Sequence, residues 1–204
     1  MSLIKKLQNP KTCNYIDLKN IISGSNFPWF KGNAQPGDAK DVLSYFSHTF
    51  LQRTDCGDQL YPETCSNHTP LVGNIVKEIF HANNIDAFCI YRMNVNLLPP
   101  IFSVKRTKEH VDHDFPHSNI LIYLTNAGGR TIVGNETYDP KEDDIIMFPG
   151  CTHCSRKFLL LSEEGQEKEV TCEDPDQFMR VLKVCTDRLD ESQIQYADLS
   201  TREI

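Results

Sequence analysis

"SNILIYLTNAGGRTIVGN", residues 118–135, reads as two strands joined by a glycine turn. Ile120 to Leu124 form an apolar run rich in residues that suit a pleated chain, and Gly128-Gly129 supply the break. "RTIVGN" (130–135) resumes the run and ends on its own turn pair, Gly134-Asn135. Similar short runs follow at "DDIIMFP" (143–149), "HCSRKFLLLS" (153–162) and "QFMRVLKVCT" (177–186), with Pro149-Gly150 as a further turn. Upstream, "DAFCIYRMNVNLL" (86–98) alternates Phe88, Ile90, Met93 and Val95 imperfectly with polar residues. Several short strands with turn signals between them predict an antiparallel sandwich or barrel rather than a parallel sheet.

Before residue 86 the period changes. "NYIDLKNIIS" (14–23), "DAKDVLSYFSHTF" (38–50) and "TPLVGNIVKEIFHANN" (69–84) space their apolar residues three and four apart, which predicts amphipathic helices. The last is the strongest, with Leu71, Ile75, Val76, Ile79 and Phe80 on one face and Thr69-Pro70 at its start. The predicted class is α+β, mainly β: residues 1–85 a mainly helical support, residues 86–187 the β core. With no obvious linker, residues 1–204 are expected to form a single domain.

Composition excludes several classes. The 204 residues carry a formal net charge of -7, which disfavours broad reading of a nucleic-acid backbone. No apolar run is long enough for a membrane span, and "MSLIKKLQNP" lacks the apolar segment of a secretory signal. The eight cysteines are therefore expected to be reduced, and a cytoplasmic location is expected.

The chemistry concentrates in "EHVDHDFPHSNILIYL" (109–124). In a strand His110 and Asp112 point the same way and Val111 the other, so an imidazole nitrogen and a carboxylate oxygen converge. A third ligand must come from another strand, and His153, which opens one just after the Pro149-Gly150 turn, is the candidate. Two histidines and one carboxylate leave coordination positions open, an arrangement that suits non-haem Fe(II). The triplet His-x-Asp alone is a weak signal; its place before a strand strengthens it. His113 has the opposite parity and is expected to point outward or to stand behind the ligands, while His117 is a rival. A zinc-binding cysteine/histidine module, built on Cys151, His153 and Cys154 with Cys172 and Cys185, is the alternative; only one close cysteine pair supports it. Arg92, Asn94 and Asn96 share one strand face, either a polar row facing inward or an exposed edge.

The order "HVDHDFPHSNILIYLTNAGGRTIVGN" followed by "PKEDDIIMFPGCTHC" resembles the catalytic core of the Fe(II)/2-oxoglutarate-dependent dioxygenases, in particular the prolyl-hydroxylase-like branch with phage-encoded members. "LIYLTNAGGRT" is similar to that family's strand and glycine turn, and "PKEDDIIMFPG" to the segment leading to its distal histidine. The resemblance is firm over residues 86–154 and looser over 26–50 and 177–186. It implies a double-stranded β-helix (jelly-roll) core with the N-terminal helices packed on it. It makes His110, Asp112 and His153 the ligands of Fe(II), with 2-oxoglutarate and O2 as co-substrates. Hydroxylation of an unidentified substrate, a peptidyl residue among the candidates, would release succinate and CO2. A non-redox jelly-roll module that binds a metal or ligand is the other implied class. The co-substrate's distal carboxylate needs a hydroxyl and a cation. The family's tyrosine falls on Tyr123. Its arginine has no match where Glu163 and Glu164 stand, so either Arg156 or Lys157 serves, or residues 159–177 are an insertion and Arg180 is the anchor.

Overall fold

A computed structural model of the chain describes residues 2–32, 45–54, 61–98, 105–106, 109–126, 129–151, 153–157 and 179–187. In chain order the elements are β1 (Lys5–Leu7), α1 (Cys13–Ser23), β2 (Phe30–Gly32), β3 (Tyr45–Gln52), β4 (Glu63–Thr64), α2 (Thr69–Ala82), β5 (Ile90–Leu98) and β6 (Lys105–Arg106). They continue with β7 (His117–Tyr123), β8 (Arg130–Val133), β9 (Glu136–Tyr138), β10 (Ile145–Pro149), β11 (His153–Lys157) and β12 (Met179–Asp187). Eight strands make the larger sheet, in the order β1-β10-β7-β12-β5-β3-β2 with β4 added to β3; β6-β11-β8-β9 make the smaller one. Every pairing in both is antiparallel. The architecture is the expected mainly-β jelly roll, with the two helices of the described residues packed on it.

The quoted hairpin shows how the layers form. All of β7 is buried, because it has something to cover on both faces. Ile120, Ile122 and Leu124 join Leu182 and Val184 of β12 in a core completed by Leu18 and Ile22 of α1 and Val72, Ile75, Val76 and Ile79 of α2. Leu121 and Tyr123 turn the other way and meet Val133, Ile146, Phe148 and Val181 between the two sheets. A central strand with two buried faces reads as an unbroken apolar run, which is why period 2 is faint here. Gly134 holds φ at +56°, and with Val133 paired to Glu136 it makes the two-residue turn of the β8–β9 hairpin.

The helices start where their sequences say. Thr12 caps α1 by accepting from the Tyr15 backbone N–H, and Pro70 stands in the first turn of α2 where its missing N–H costs nothing. Glu78 of α2 ties the two together, accepting from Thr12 Oγ1 and from Asn14 Nδ2 at 2.6 Å. Asp143, before β10, fastens α1 to the sheet: it accepts from Tyr15 Oη at 2.8 Å and pairs with Lys11 at 2.9 Å and Lys19 at 2.7 Å.

The N-terminal part differs from its expectation. Residues 45–52 are a strand, not part of a helix. "YFSHTFLQ" satisfies both periods loosely, but its aromatic and hydroxyl residues favour a pleated chain, and β5 offers an open edge to pair with. His48 and Phe50 then fall on one face and are buried. β1, β2, β3 and β4 all join the larger sheet, so the stretch before residue 86 contributes strands as well as helical support. No helix among the described residues is long and apolar enough to cross a membrane.

Candidate metal centre

His110 and His153 are brought together by the backbone itself. They form an isolated antiparallel bridge, with His110 N donating to His153 O at 3.1 Å and His153 N to His110 O at 3.0 Å. Their rings lie 4.5 Å apart between centroids. Two residues on, Asp112 presents its carboxylate to the same place, with Oδ2 3.2 Å from His153 Nε2. One ligand atom from each of His110, Asp112 and His153 lies within 4.8 Å of the others. Among the described residues these are the group that could hold a metal ion.

The supporting contacts prepare those atoms. His153 Nδ1 is 3.0 Å from the Cys151 carbonyl, which can only accept, so this nitrogen carries the proton and in the neutral ring Nε2 keeps its lone pair for the site. Phe148 sets its ring edge-on against His153 at 5.2 Å and keeps water from that side. Arg53, just past β3, donates to the Asp112 backbone carbonyl at 3.2 Å and holds the loop that carries the carboxylate. The approach to His153 depends on Gly150. A Cβ there would stand 2.4 Å from the His117 ring, and the Gly150 N–H donates to the His117 carbonyl at 2.6 Å.

The residue the sequence reading missed is Lys183. Its ammonium, on β12, lies 2.7 and 2.6 Å from the two Asp112 oxygens and 3.2 Å from His153 Nε2. Burial by itself would push the Asp112 carboxyl up, but its close contact with His153 and the Lys183 charge outweigh that and hold it well below the usual carboxylate range. The donor set therefore fits a cation. The ammonium is held by the carboxylate and by one imidazole, with the second imidazole alongside. The signal in the sequence was a lysine in the apolar run "RVLKVCT", since a buried lysine needs an anion.

β12 also decides the fate of Arg180. Lys183 and Val181 share the face between the sheets, so Arg180, Leu182 and Val184 face the helices. Tyr123 stands opposite Val181 in the register and thus lies on the inner face. The sheet separates the two side chains that were expected to grip one carboxylate together, which corrects the assignment of Arg180. Tyr123 is buried, and its hydroxyl exchanges a 2.7 Å hydrogen bond with Thr131 Oγ1 of β8. Burial pushes the phenol up, so it stays neutral. Expectations resting on the Arg156 and Lys157 side chains, or on an insertion at 159–177, lie outside the described part of the structure.

His113 is not outward: it is buried, stacked on Phe115 at 4.7 Å and edge-on to His117 at 4.9 Å. His117 is buried with Nδ1 2.8 Å from the Phe115 carbonyl, away from the triad. Of the cysteines, Cys185 is buried beside Asn119, its Sγ 3.2 Å from Oδ1, and burial pushes its thiol up to about 11.

The polar row on β5 faces inward. β5 pairs with β12 on one side and β3 on the other, so it is no edge. Asn94 stands across from Lys183, Asn96 from Val181 and Arg92 from Cys185. Asn94 Nδ2 donates to Asn96 Oδ1 at 2.8 Å, while Asn94 Oδ1 is buried with no hydrogen-bond partner among the described residues.

A family model described as a domain of unknown function (DUF7294) matches residues 152–201. No curated protein matches the sequence. Among solved structures, an oxidoreductase of the 2OG-Fe(II) oxygenase family from Burkholderia pseudomallei superposes with a TM-score of 0.58 at 15% identity, covering 92% of this chain and 86% of that one. A prolyl hydroxylase from Trichoplax adhaerens, solved with a hypoxia inducible factor oxygen degradation domain peptide fragment, gives 0.51 at 12% identity, covering 98% of this chain and 88% of that one. At such identities the likeness is one of fold.

Proposed function

We propose that this chain is an Fe(II)- and 2-oxoglutarate-dependent dioxygenase that hydroxylates its substrate and releases succinate and CO2. The observation that carries the reading is the convergence of His110, Asp112 and His153 within 4.8 Å at one end of a jelly roll of oxygenase shape. Two neutral nitrogens and one carboxylate on one side of an ion suit Fe(II) and leave room for a bidentate co-substrate and O2. Fe(II) bound there would supply the redox chemistry that couples decarboxylation of 2-oxoglutarate to oxidation of the substrate.

The protein's own contribution is placement and exclusion of water. His153 is locked by Cys151 and Phe148, and Asp112 is kept ionised by its cationic surroundings. The neutral, buried Tyr123–Thr131 hydroxyl pair offers hydrogen bonds to the distal carboxylate of 2-oxoglutarate deeper between the sheets. The inward row Arg92, Asn94 and Asn96 provides polar contacts on the substrate side.

The test is succinate formation from 2-oxoglutarate under O2, with and without Fe(II), in the wild type and in Asp112→Ala. Turnover that requires Fe(II) and vanishes in the variant is expected, because the substitution removes the one anionic ligand. Undiminished iron binding and turnover in Asp112→Ala would exclude the triad. Iron binding without any turnover of 2-oxoglutarate would favour a non-redox binding module.

A further inference from the structure

We propose that Lys183 competes with the metal for the triad, and so makes metal uptake depend on a carboxylate ligand that arrives with it; this rests on the metal-site reading above. Asp112 could serve two cations at once, since a carboxylate has two oxygens and about four lone-pair directions. His153 could not. Its Nδ1 is committed to the Cys151 carbonyl, and its single remaining lone pair, on Nε2, faces the Lys183 ammonium at 3.2 Å. A metal ligated by His153 must therefore displace Lys183 from that nitrogen.

The displaced ammonium stays in the pocket. Lys183 is 8% exposed, and its stem rises from a central strand of the larger sheet. An acceptor waits for it across the strand pair: Asn94, opposite Lys183 in the register, buries an Oδ1 that has no hydrogen-bond partner among the described residues. The lysine stem is flexible enough to swing between the two. Its charge, however, remains beside the ion. Divalent metal plus ammonium against the Asp112 carboxylate leaves a surplus of two positive charges in a buried pocket, and Arg92 adds to it across from Cys185. A ligand carrying carboxylates, the class to which 2-oxo acids belong, offsets the surplus. Metal alone binds against repulsion; metal with such a ligand binds without it.

Mn(II) serves as a redox-inert probe, with free Mn(II) followed by its EPR signal in anaerobic titrations, with and without 2-oxoglutarate. Wild type is compared with Lys183→Met, and with Lys183→Gln, which keeps a hydrogen-bond donor for Asp112 and carries the test if the methionine variant does not fold. Direct chelation by 2-oxoglutarate strengthens Mn(II) binding in every protein, so the difference between them isolates Lys183. Removing the charge is expected to raise affinity for Mn(II) alone by roughly tenfold or more, and to shrink the enhancement by 2-oxoglutarate by a similar factor. Equal Mn(II) affinity and equal enhancement in wild type and variants would overturn the proposal while leaving the metal site standing. Failure of all of them to bind Mn(II), with or without 2-oxoglutarate, would overturn the metal-site reading and this proposal with it.

Discussion

Gly150→Ala places one methyl group where the structure has no room, and its consequence can be worked through. The new Cβ would stand 2.4 Å from His117 Cε1 and Nδ1 and 2.7 Å from Nε2, well inside the 3.4 Å at which ordinary van der Waals contact begins. The ring cannot swing away cheaply, because it is 1% exposed, engaged with the Phe115 carbonyl and flanked by His113. The Gly150 backbone is itself bonded to the His117 carbonyl at 2.6 Å. Alanine gains about 0.5 kcal/mol through the unfolded chain. Overpacking of this severity costs about 3 kcal/mol, so destabilisation wins. For a chain of this size the net of about 2.5 kcal/mol is a fall of roughly 5–10 °C in Tm. The turn that gives way leads into His153, so metal affinity should fall as well. Thermal unfolding and Mn(II) titration of Gly150→Ala, His117→Ala and the double variant check both parts. Removing the ring should relieve the clash, making the double variant less damaged than the sum of the singles. A Gly150→Ala protein within about 0.5 kcal/mol of wild type, or strict additivity in the cycle, would refute the reasoning.

Gly73, inside α2, is the opposite case: a Cβ there meets nothing within 4 Å, so Gly73→Ala should stabilise by about 0.5–1 kcal/mol in urea unfolding. Asp143→Asn keeps a residue type that tolerates φ +67° but loses the ion pairs, and should cost about 1 kcal/mol near neutral pH, little of it from the exposed Lys11. Burial alone would raise the Asp143 carboxyl, yet Lys19, Lys11 and Tyr15 lower it below its ordinary value. Its stabilisation is therefore present above about pH 4 and is lost as pH falls through the lower, folded value. The gap between wild type and Asp143→Asn should accordingly narrow between pH 6 and pH 3 in urea midpoints. Cys151→Ser combined with Cys154→Ser should leave metal content unchanged; loss of a tightly held zinc ion would restore the cysteine-based alternative.

The sequence by itself determined β5, β7, β8, β10, β11 and β12, because short β-favouring runs punctuated by Gly134-Asn135 and Pro149-Gly150 allow little else, but not the short β6 and β9. It also picked out the candidate trio His110, Asp112 and His153, whose ligand-type atoms the structure brings within 4.8 Å of one another. The structure reaches that grouping differently from strand alternation: His110 makes a single antiparallel bridge to His153, and Asp112 stands in the loop just after it rather than on a strand. Residues 45–52 escaped it, since their apolar spacing fits either period and only pairing with β5 chose the strand. What the tertiary structure alone decided is the sidedness of β12. Val181, Leu182 and Val184 are all apolar and all buried, because one face of the strand covers the helices and the other closes the space between the sheets. Apolarity therefore cannot tell which face looks at the triad. Docking of α1 and α2 against Leu182 and Val184 settles it, turning Arg180 to the helix side and delivering the Lys183 ammonium to Asp112.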